Sequence, residues 1–396
     1  MGLYDLPTWL FITIAGLLLM MILEIGRLFP LLLKELKLES DFVLPIETAA
    51  GRLAARLSII IPAKDEEASI VGAVESILAS SYKNLEIILI DDRSQDGTWD
   101  LMEQLRSKDS RVRTVKIEEL PAGWTGKTHA MFVGAGLSTG DILLFTDADV
   151  FFSSDLVARS VSYFISNQLA MLSLIPGFNR WGFLEKSIYP HLALGISFFY
   201  PIGHVNDPGA EAAVSSGCFI MMSKEAYNNV GTWRAVRDQL TEDIAMSRAV
   251  KNLGMKLHVA RSDLVKTKPF DNFSELIRFW TRTFYGGLET RTTKIIRLWL
   301  NYSPLLLPFI LLIYFGVKLA ANSHISSPEA ILLFMSIIAI MAIEIPFGIF
   351  LKHYHGSWSY TLLSPLGIFA GSLIATRVFF TKTLDRGIEW RGSVYK

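Results

Sequence analysis

At 396 residues the chain has room for one or two domains and a substantial core. Lys+Arg and Asp+Glu both number 38, so charge gives no reason to expect nucleic acid or another polyanion as a partner. The only cysteine, Cys218, rules out an intramolecular disulfide, argues against a cysteine-based zinc site and fits a reducing compartment. Hydrophobic residues reach 51% and charged ones 19%, an apolar excess over an average soluble protein that is concentrated at the two ends.

Residues 9–23 form an almost unbroken apolar run with no Lys or Arg before it. A secretory signal needs a basic n-region and a small-residue cleavage site, so an uncleaved anchor over 1–26 is the better reading. Arg27, Lys34, Lys37, Arg52 and Arg56 follow, in a juxtamembrane amphipathic linker over 27–56. The positive-inside rule places that flank in the cytoplasm and the N-terminus outside.

Residues 57–291 have soluble composition. Leu57-Ser-Ile-Ile-Ile61, ending at Pro62, reads as a strand, and Ile70, Val71, Val74, Ile77 and Leu78 then recur at helical spacing. Residues 85–90, 112–117 and 141–146 are further strands, the first ending at Asp91-Asp92 and the last at Asp147-Ala148-Asp149, with a helix introduced by Gly97 and Thr98. Strands alternating with helices imply a mainly parallel α/β sheet with helices on both faces. Lys64, Asp65, Asp91, Asp92, Asp147 and Asp149 all fall just past strand ends, the edge where open α/β sheets bind ligands. No GxGxxG or GxxxxGK[ST] occurs, so the usual dinucleotide and P-loop modes have no support.

Asp147 and Asp149 repel one another unless a cation lies between them. Mg²⁺ and Mn²⁺ are hard cations that bridge one or two carboxylates to substrate phosphates; a surface turn is the alternative. Pro62-Ala-Lys-Asp-Glu-Glu67 reads either as a nucleotide-base contact or as an acidic helix start. Asp92 is either an acceptor for a pyrimidine N–H or a turn acid. In Gly123-Trp-Thr-Gly-Lys-Thr128 an exposed-looking Trp124 precedes Lys127, which begins a helix against the macrodipole, as a group facing an anion would. Thr241-Glu242-Asp243 is a standard helix start, or it supplies a general base. Ser215-Ser-Gly-Cys-Phe-Ile-Met-Met222 reads as a strand with a flexible entry that either lines an acceptor site or belongs to the core. Phe279, Trp280, Phe284 and Tyr285 beside Arg278 and Arg282 suit a headgroup interface or a lipid- or phosphate-bearing substrate.

Three more apolar stretches, 304–319, 331–351 and 360–380, are about long enough to span a bilayer. The loop 321–330 lacks Lys and Arg and suits the outside, whereas Lys352, His353 and His355 suit the inside. A full third crossing would leave the basic tail 382–396, with Lys382, Arg386, Arg391 and Lys396, on the outside, against the charge rule. Pro365, Gly367 and Gly371 permit a kinked or re-entrant segment instead, and a cytoplasmic tail is the expectation. Glu344 lies inside a hydrophobic span, where an ionisable side chain is a functional candidate by default; it either functions or faces a neighbouring helix. Arg377, near the end of its segment, can snorkel.

Taken in order, Ser58-Ile-Ile-Ile-Pro-Ala-Lys-Asp-Glu-Glu67, Asp91-Asp-Arg-Ser-Gln-Asp-Gly-Thr98, Thr146-Asp-Ala-Asp149, Ser216-Gly217 and Glu242-Asp243 resemble the family 2 glycosyltransferases with their GT-A fold. Gly123-Trp-Thr-Gly-Lys127, the C-terminal spans over 299–381 and Trp390-Arg-Gly-Ser-Val-Tyr395 look like a membrane-bound branch that includes hopanoid-associated, carotenoid-acid and ceramide glycosyltransferases, whose acceptors are lipids. The resemblance implies that Pro62, Ala63, Lys64, Asp65, Asp92, Lys127 and Asp147 hold a nucleotide-sugar, a UDP-sugar by expectation. It implies that Asp149 with Asp147 ligates Mg²⁺ or Mn²⁺, and that Asp243, beside Glu242, is the catalytic base. Ser216, Gly217, Arg278, Trp280 and Arg282 are the expected acceptor contacts. The spacing Arg278-Phe-Trp-Thr-Arg282 departs from the Gln/Arg-x-x-Arg-Trp pattern of many membrane members, which disfavours a processive polysaccharide synthase. The implied activity is inverting transfer of one sugar to a lipid at the cytoplasmic face of a bacterial inner membrane. A processive synthase, or an inactive GT-A membrane scaffold, is the alternative.

Overall fold

In the computed structural model the described residues are 7–41, 44, 55–288, 292–321, 323–354, 356–384, 387–390 and 393–395. Arg52, His355, Arg386, Arg391, Lys396 and most of the stretch 42–54 lie outside them. A long helix, α1 (Thr8–Asp41), comes first. It does not stop where the apolar run of the anchor stops. Pro30 removes one backbone donor, but Leu32 and Leu36 on its next turns are buried against the rest of the protein and hold the helix together as far as Asp41. Residues 27–41 of the expected linker are therefore helical.

The domain that follows alternates strands and helices: β1 (Leu57–Ala63), α2 (Ile70–Leu78), β2 (Leu85–Asp92), α3 (Thr98–Lys108), β3 (Val112–Ile117), α4 (Gly126–Leu137), β4 (Ile142–Phe145), β5 (Val150–Phe152), α5 (Leu156–Ser166) and β6 (Met171–Phe178). Short helices α6 (Phe183–Ser187), α7 (Tyr189–Ser197) and α8 (Ile202–Val205) lead to β7 (Ile220–Ser223), α9 (Lys224–Asn229), α10 (Glu242–Asn252) and β8 (Leu257–Thr267). These strands make one eight-stranded sheet in the order β3-β2-β1-β4-β7-β6-β8-β5. The ladder from β3 to β4 is parallel, and β6 pairs parallel with β8; β7 and β5 run antiparallel to their neighbours. The period of two in β1 explains the layers. Ile59 and Ile61 face the core made with α2, α3 and α5, while Ile60 faces the core made with α4, α9 and α10. Buried Glu86 pins the entry to β4. It accepts from Ser58 Oγ at 2.6 Å and from the Thr139 N–H at 2.7 Å, and Ser58 Oγ in turn accepts from Gly140 N–H at 2.9 Å.

After the sheet come α11 (Phe273–Gly287), α12 (Thr292–Tyr302), α13 (Leu307–Ala320), α14 (Ser327–His353) and α15 (Ser364–Thr383). Among the described residues, Thr8–Lys37, Thr292–Ala320, Ser327–His353 and Trp358–Thr383 are long and apolar enough to cross a membrane. Helix α11 is tied to α10: Arg248 Nη2 donates to Gly287 O at 3.0 Å and to the Tyr200 hydroxyl at 3.2 Å. That tie sets the wall of the crevice described next.

Candidate active site

A crevice of about 240 Å³ opens at the C-terminal edge of the parallel strands. β1 delivers Pro62, Ala63, Lys64 and Glu66; β2 delivers Asp92 and Arg93; the turn between β4 and β5 delivers Asp147, Ala148 and Asp149. The start of α4 contributes Thr125, Gly126 and Lys127, and Gln239, Leu240 and Glu242 come from the approach to α10. Glu275, Phe279 and Arg282 on α11, with Lys268 just past β8, close the far wall.

Local chemistry explains each placement. Thr125 Oγ1 accepts the Thr128 N–H at 3.1 Å and so caps α4 at the crevice wall. Gly126 is needed there because a Cβ would lie 2.0 Å from Asp92 Oδ2. Arg93, in the left-handed region at φ 58°, turns back so that its Nε donates to Asp92 Oδ1 at 2.8 Å. Asp92 and Asp91 alternate across the sheet. Asp92 enters the crevice, whereas both Asp91 oxygens are buried on the other side without a hydrogen-bond partner among the described residues. Asp65 also has a positive φ, of 54°, and its carboxylate turns away to accept from the Gln95 N–H at 2.7 Å. It thereby locks the loop after β1 onto the loop after β2 rather than lining the crevice.

Lys127 is the hub. Its Nζ lies 2.6 Å from Asp147 Oδ1 and 2.9 Å from Glu242 Oε1. Burial works to discharge the ammonium, but Asp147 and Glu242 outweigh it and hold the group charged. At Asp149 burial, then the charges of Asp147 and Glu66, outweigh the opposing charge of Lys268 and push the carboxyl up to about 6. Asp243 sits behind Glu242. Its Oδ2 accepts the Gly217 N–H at 3.0 Å and its Oδ1 the Ile244 N–H at 2.8 Å. Burial first, and Glu242 second, push it up to about 6, with Lys127 opposing. Ser215 Oγ donates to the Asp243 carbonyl at 2.6 Å. The Ser215–Gly217 entry to β7 is therefore a cradle for Asp243. Gly217 is open to the acids: a Cβ there would lie 2.9 Å from Lys127 Nζ and 3.8 Å from Asp147 Oδ2.

The donor set fits a hard divalent cation. Asp147 and Asp149 present carboxylate oxygens into one crevice, where burial and then the neighbouring charges of Asp147 and Glu66 disfavour the ionised form of Asp149 in the absence of a cation between them. Among the described residues no three His, Cys, Asp or Glu side chains are grouped to hold an ion alone. An ion that takes its remaining ligands from a diphosphate and water does not need a third.

The structure thus brings Pro62, Ala63, Lys64, Asp92, Lys127, Asp147, Asp149, Glu242 and Arg282 to one crevice, with Asp243 and Gly217 directly behind it. Other expected contacts lie elsewhere. Arg278 is on the exposed face of α11, and Trp280 is buried beneath it among Tyr189, Phe279 and Phe284. Ser216 gives its N–H to Ser173 Oγ at 2.9 Å. Trp124 is half-buried, with its ring 5.0 Å from that of Phe132. Sequence reasoning passed over Arg93, Gln239, Leu240, Lys268 and Glu275 as crevice residues. Arg93 and Lys268 left a usable signal, because each follows directly on a strand.

Residues 58–231 match the family described as Glycosyl transferase family 2. They form a family 2 glycosyltransferase domain. A 4,4'-diaponeurosporenoate glycosyltransferase of Staphylococcus haemolyticus is 23% identical over 258 residues, 63% of this chain and 66% of that protein. An uncharacterized glycosyltransferase of Haemophilus influenzae is 32% identical over 115 residues, 29% of this chain and 44% of its own. The matched stretches therefore span no more than 66% of these relatives. A mannosyltransferase from Pyrobaculum calidifontis, solved in complex with GDP-Man and Mn2+, superimposes with a TM-score of 0.55 at 17% identity, covering 90% of this chain and 99% of that one. That likeness establishes the GT-A fold of the glycosyltransferase domain flanked by apolar helices.

Proposed function

We propose that this protein transfers a single sugar from a nucleotide-sugar, a UDP-sugar by the resemblance, to a lipid acceptor at the cytoplasmic face of a bacterial inner membrane. The observation that carries this reading is the convergence of Lys127, Asp147, Asp149 and Glu242 in one crevice at the strand ends, with Asp243 held behind them. The name of the staphylococcal relative supports an acceptor of the carotenoid-acid type. The division into an anchor over 1–26, a linker over 27–56, a catalytic domain over 57–291, a membrane region over 299–381 and a basic tail over 382–396 belongs to the same reading.

The chain's own residues account for the chemistry. Pro62, Ala63, Lys64 and Asp92 flank the base and ribose end of the crevice; Lys127 meets the diphosphate. A divalent ion on Asp147 and Asp149 would supply charge neutralisation for the leaving diphosphate. Lys127 adds a preorganised positive charge aimed at the same group. Asp243 Oδ2, ionised and oriented by the Gly217 N–H, accepts the proton of an alcohol acceptor as its oxygen attacks the anomeric carbon. The bond to the diphosphate breaks on the opposite face, so configuration inverts. A carboxylic-acid acceptor is already ionised and attacks without a base. Incubating the protein in membranes with a panel of nucleotide-sugars and Mn²⁺, followed by mass spectrometry of extracted lipids, tests the reading. One-sugar lipid adducts support it; polymer, or no adduct from any donor, overturns it.

A further inference from the structure

The apolar helices bury side chains in two clusters. Leu18 of α1, Phe315 of α13, and Leu332 and Ala339 of α14 share one buried cluster. Ala370, Ile374, Ala375 and Val378 of α15 are buried in a different one, with Leu192 of α7, Leu276 and Trp280 of α11 and Leu298 of α12. Helix α15 thus packs chiefly on α7, α11 and α12, in a cluster that also takes in Leu32 and Leu36 of α1 and Phe350 of α14 but no residue of α13.

Its contacts with the domain are close. A Cβ on Gly367 would lie 2.1 Å from the His191 ring of α7, and one on Gly371 2.2 Å from the Tyr302 ring of α12. The depth at which it starts is fixed by Glu344. Ser364 Oγ, at the first residue of α15, donates to Glu344 Oε2 at 2.8 Å. Glu344 stands about 13 Å along α14 from His353, at about 1.5 Å per residue. Between them the turn Trp358–Leu363 lies back along α14, close enough that a Cβ on Gly348 would meet the Trp358 ring at 2.1 Å. After His353 the chain therefore runs back up α14 to the level of Glu344 and then turns, with α15 descending against α7, α12 and α11. A helix of this kind carries no charge in its lipid-facing stripe unless that stripe reaches the water. The exposed residues of α15 are Leu366, Phe369, Arg377, Phe380, Lys382 and Thr383, with Leu362 exposed on the turn before it: apolar at the deep end, with Arg377 and Lys382 towards the shallow end.

We propose that the Trp358–Leu363 turn and α15 form a re-entrant hairpin seated in the cytoplasmic leaflet, whose outward stripe meets lipid tails and whose inner face is bolted to the catalytic domain. The chain then crosses the bilayer three times, and residue 384 returns to the cytoplasm. The hairpin makes α11 a shared wall, with lipid-embedded α15 on one side and the crevice residues Glu275, Phe279 and Arg282 on the other. The inference rests on the inward orientation of the domain but not on any catalytic role.

The test uses the full-length chain in its membrane with single substitutions Leu384→Cys, Ala321→Cys and Phe369→Cys, labelled by a membrane-impermeant maleimide. Labelling of the unsubstituted chain at Cys218 is subtracted. Residue 384 is expected to label in inverted vesicles and not in spheroplasts, with residue 321 showing the reverse. Residue 369 is expected to resist labelling from both sides while a bimane attached there is quenched by shallow lipid nitroxides. Labelling of 384 in spheroplasts, on the same side as 321, overturns the hairpin in favour of a fourth span. Labelling of 321 in inverted vesicles with 384 in spheroplasts overturns the orientation on which it rests and leaves the hairpin standing, and labelling of both on the cytoplasmic side overturns the two together, which separates the failures. A C-terminal fusion to alkaline phosphatase is a second reading: inactive fusion supports the hairpin, active fusion overturns it.

Discussion

The Lys127 ammonium lies 2.6 Å from Asp147 Oδ1. A lysine in the first turn of a helix works against the macrodipole by a few tenths of a kcal/mol up to about 1 kcal/mol, and Asp147 and Glu242 offset that cost here. The same ammonium is thereby kept charged at the position where a leaving diphosphate would need it.

Replacing Lys127 by Met should remove that charge while leaving the capped start of α4 in place, because Thr125 supplies the cap. Transfer should fall by about 10²–10³-fold, as for loss of one preorganised donor to a developing charge. Steady-state kinetics with circular dichroism checks this; turnover within a factor of two of the parent would remove Lys127 from the machinery.

Asp149→Asn should leave the fold intact and abolish both transfer and donor hydrolysis. The substitution relieves repulsion with Asp147 and Glu66 rather than breaking a bond that the fold depends on. Calorimetry should show that UDP binding no longer strengthens on adding Mn²⁺. A variant whose nucleotide affinity still responds to the ion would exclude a role for Asp149 as a ligand.

The Asp243 carboxyl stands raised, at about 6, so its basic form is lost as pH falls through that value. With an alcohol acceptor, kcat/KM should drop tenfold per pH unit below about 6, and Asp243→Asn should cost about 10²–10⁴-fold. The sign for stability is opposite. A raised folded pKa means that the stabilising contribution is present below the unfolded value and is lost as pH rises through the folded one. Asp243→Asn should therefore keep or raise Tm at pH 7.5. A lowered Tm with unchanged turnover would make Asp243 a structural helix-start acid.

Gly217→Ala places a methyl 2.9 Å from Lys127 Nζ and 3.6 Å from Asp243 Oδ2. Only the flexible lysine end can give way, so Lys127 should shift while the sheet stays put. We expect a fall in kcat larger than any change in Tm. Unchanged kinetics would mean that the crevice tolerates the lysine elsewhere.

Gly371→Leu meets the Tyr302 ring, which a Cβ alone would approach to 2.2 Å. Overpacking of this kind costs about 1–3 kcal/mol. Tm in detergent should fall, and α15 should become accessible to limited proteolysis. Protection equal to that of the parent chain would show that α15 does not depend on this seat.

The sequence by itself determined the α/β alternation, the positions of β1 to β4 within two residues or so, and the row of acids past the strand ends. It could do so because β-branched runs such as that of β1 are buried on both faces, and because chain polarity forces parallel strands to end at one edge. The tertiary structure decided what those signals do not encode. That Asp65 faces a neighbouring loop, and Asp91 the opposite core from Asp92, depends on positive-φ turns and on the parity of a strand. That Trp280 is core while Arg282 reaches the crevice depends on how α11 is rotated against α10 and α15. An apolar stretch of membrane-spanning length reads the same whether it crosses a bilayer or packs on a domain; only the neighbours of α15, His191 and Tyr302, tell the two apart.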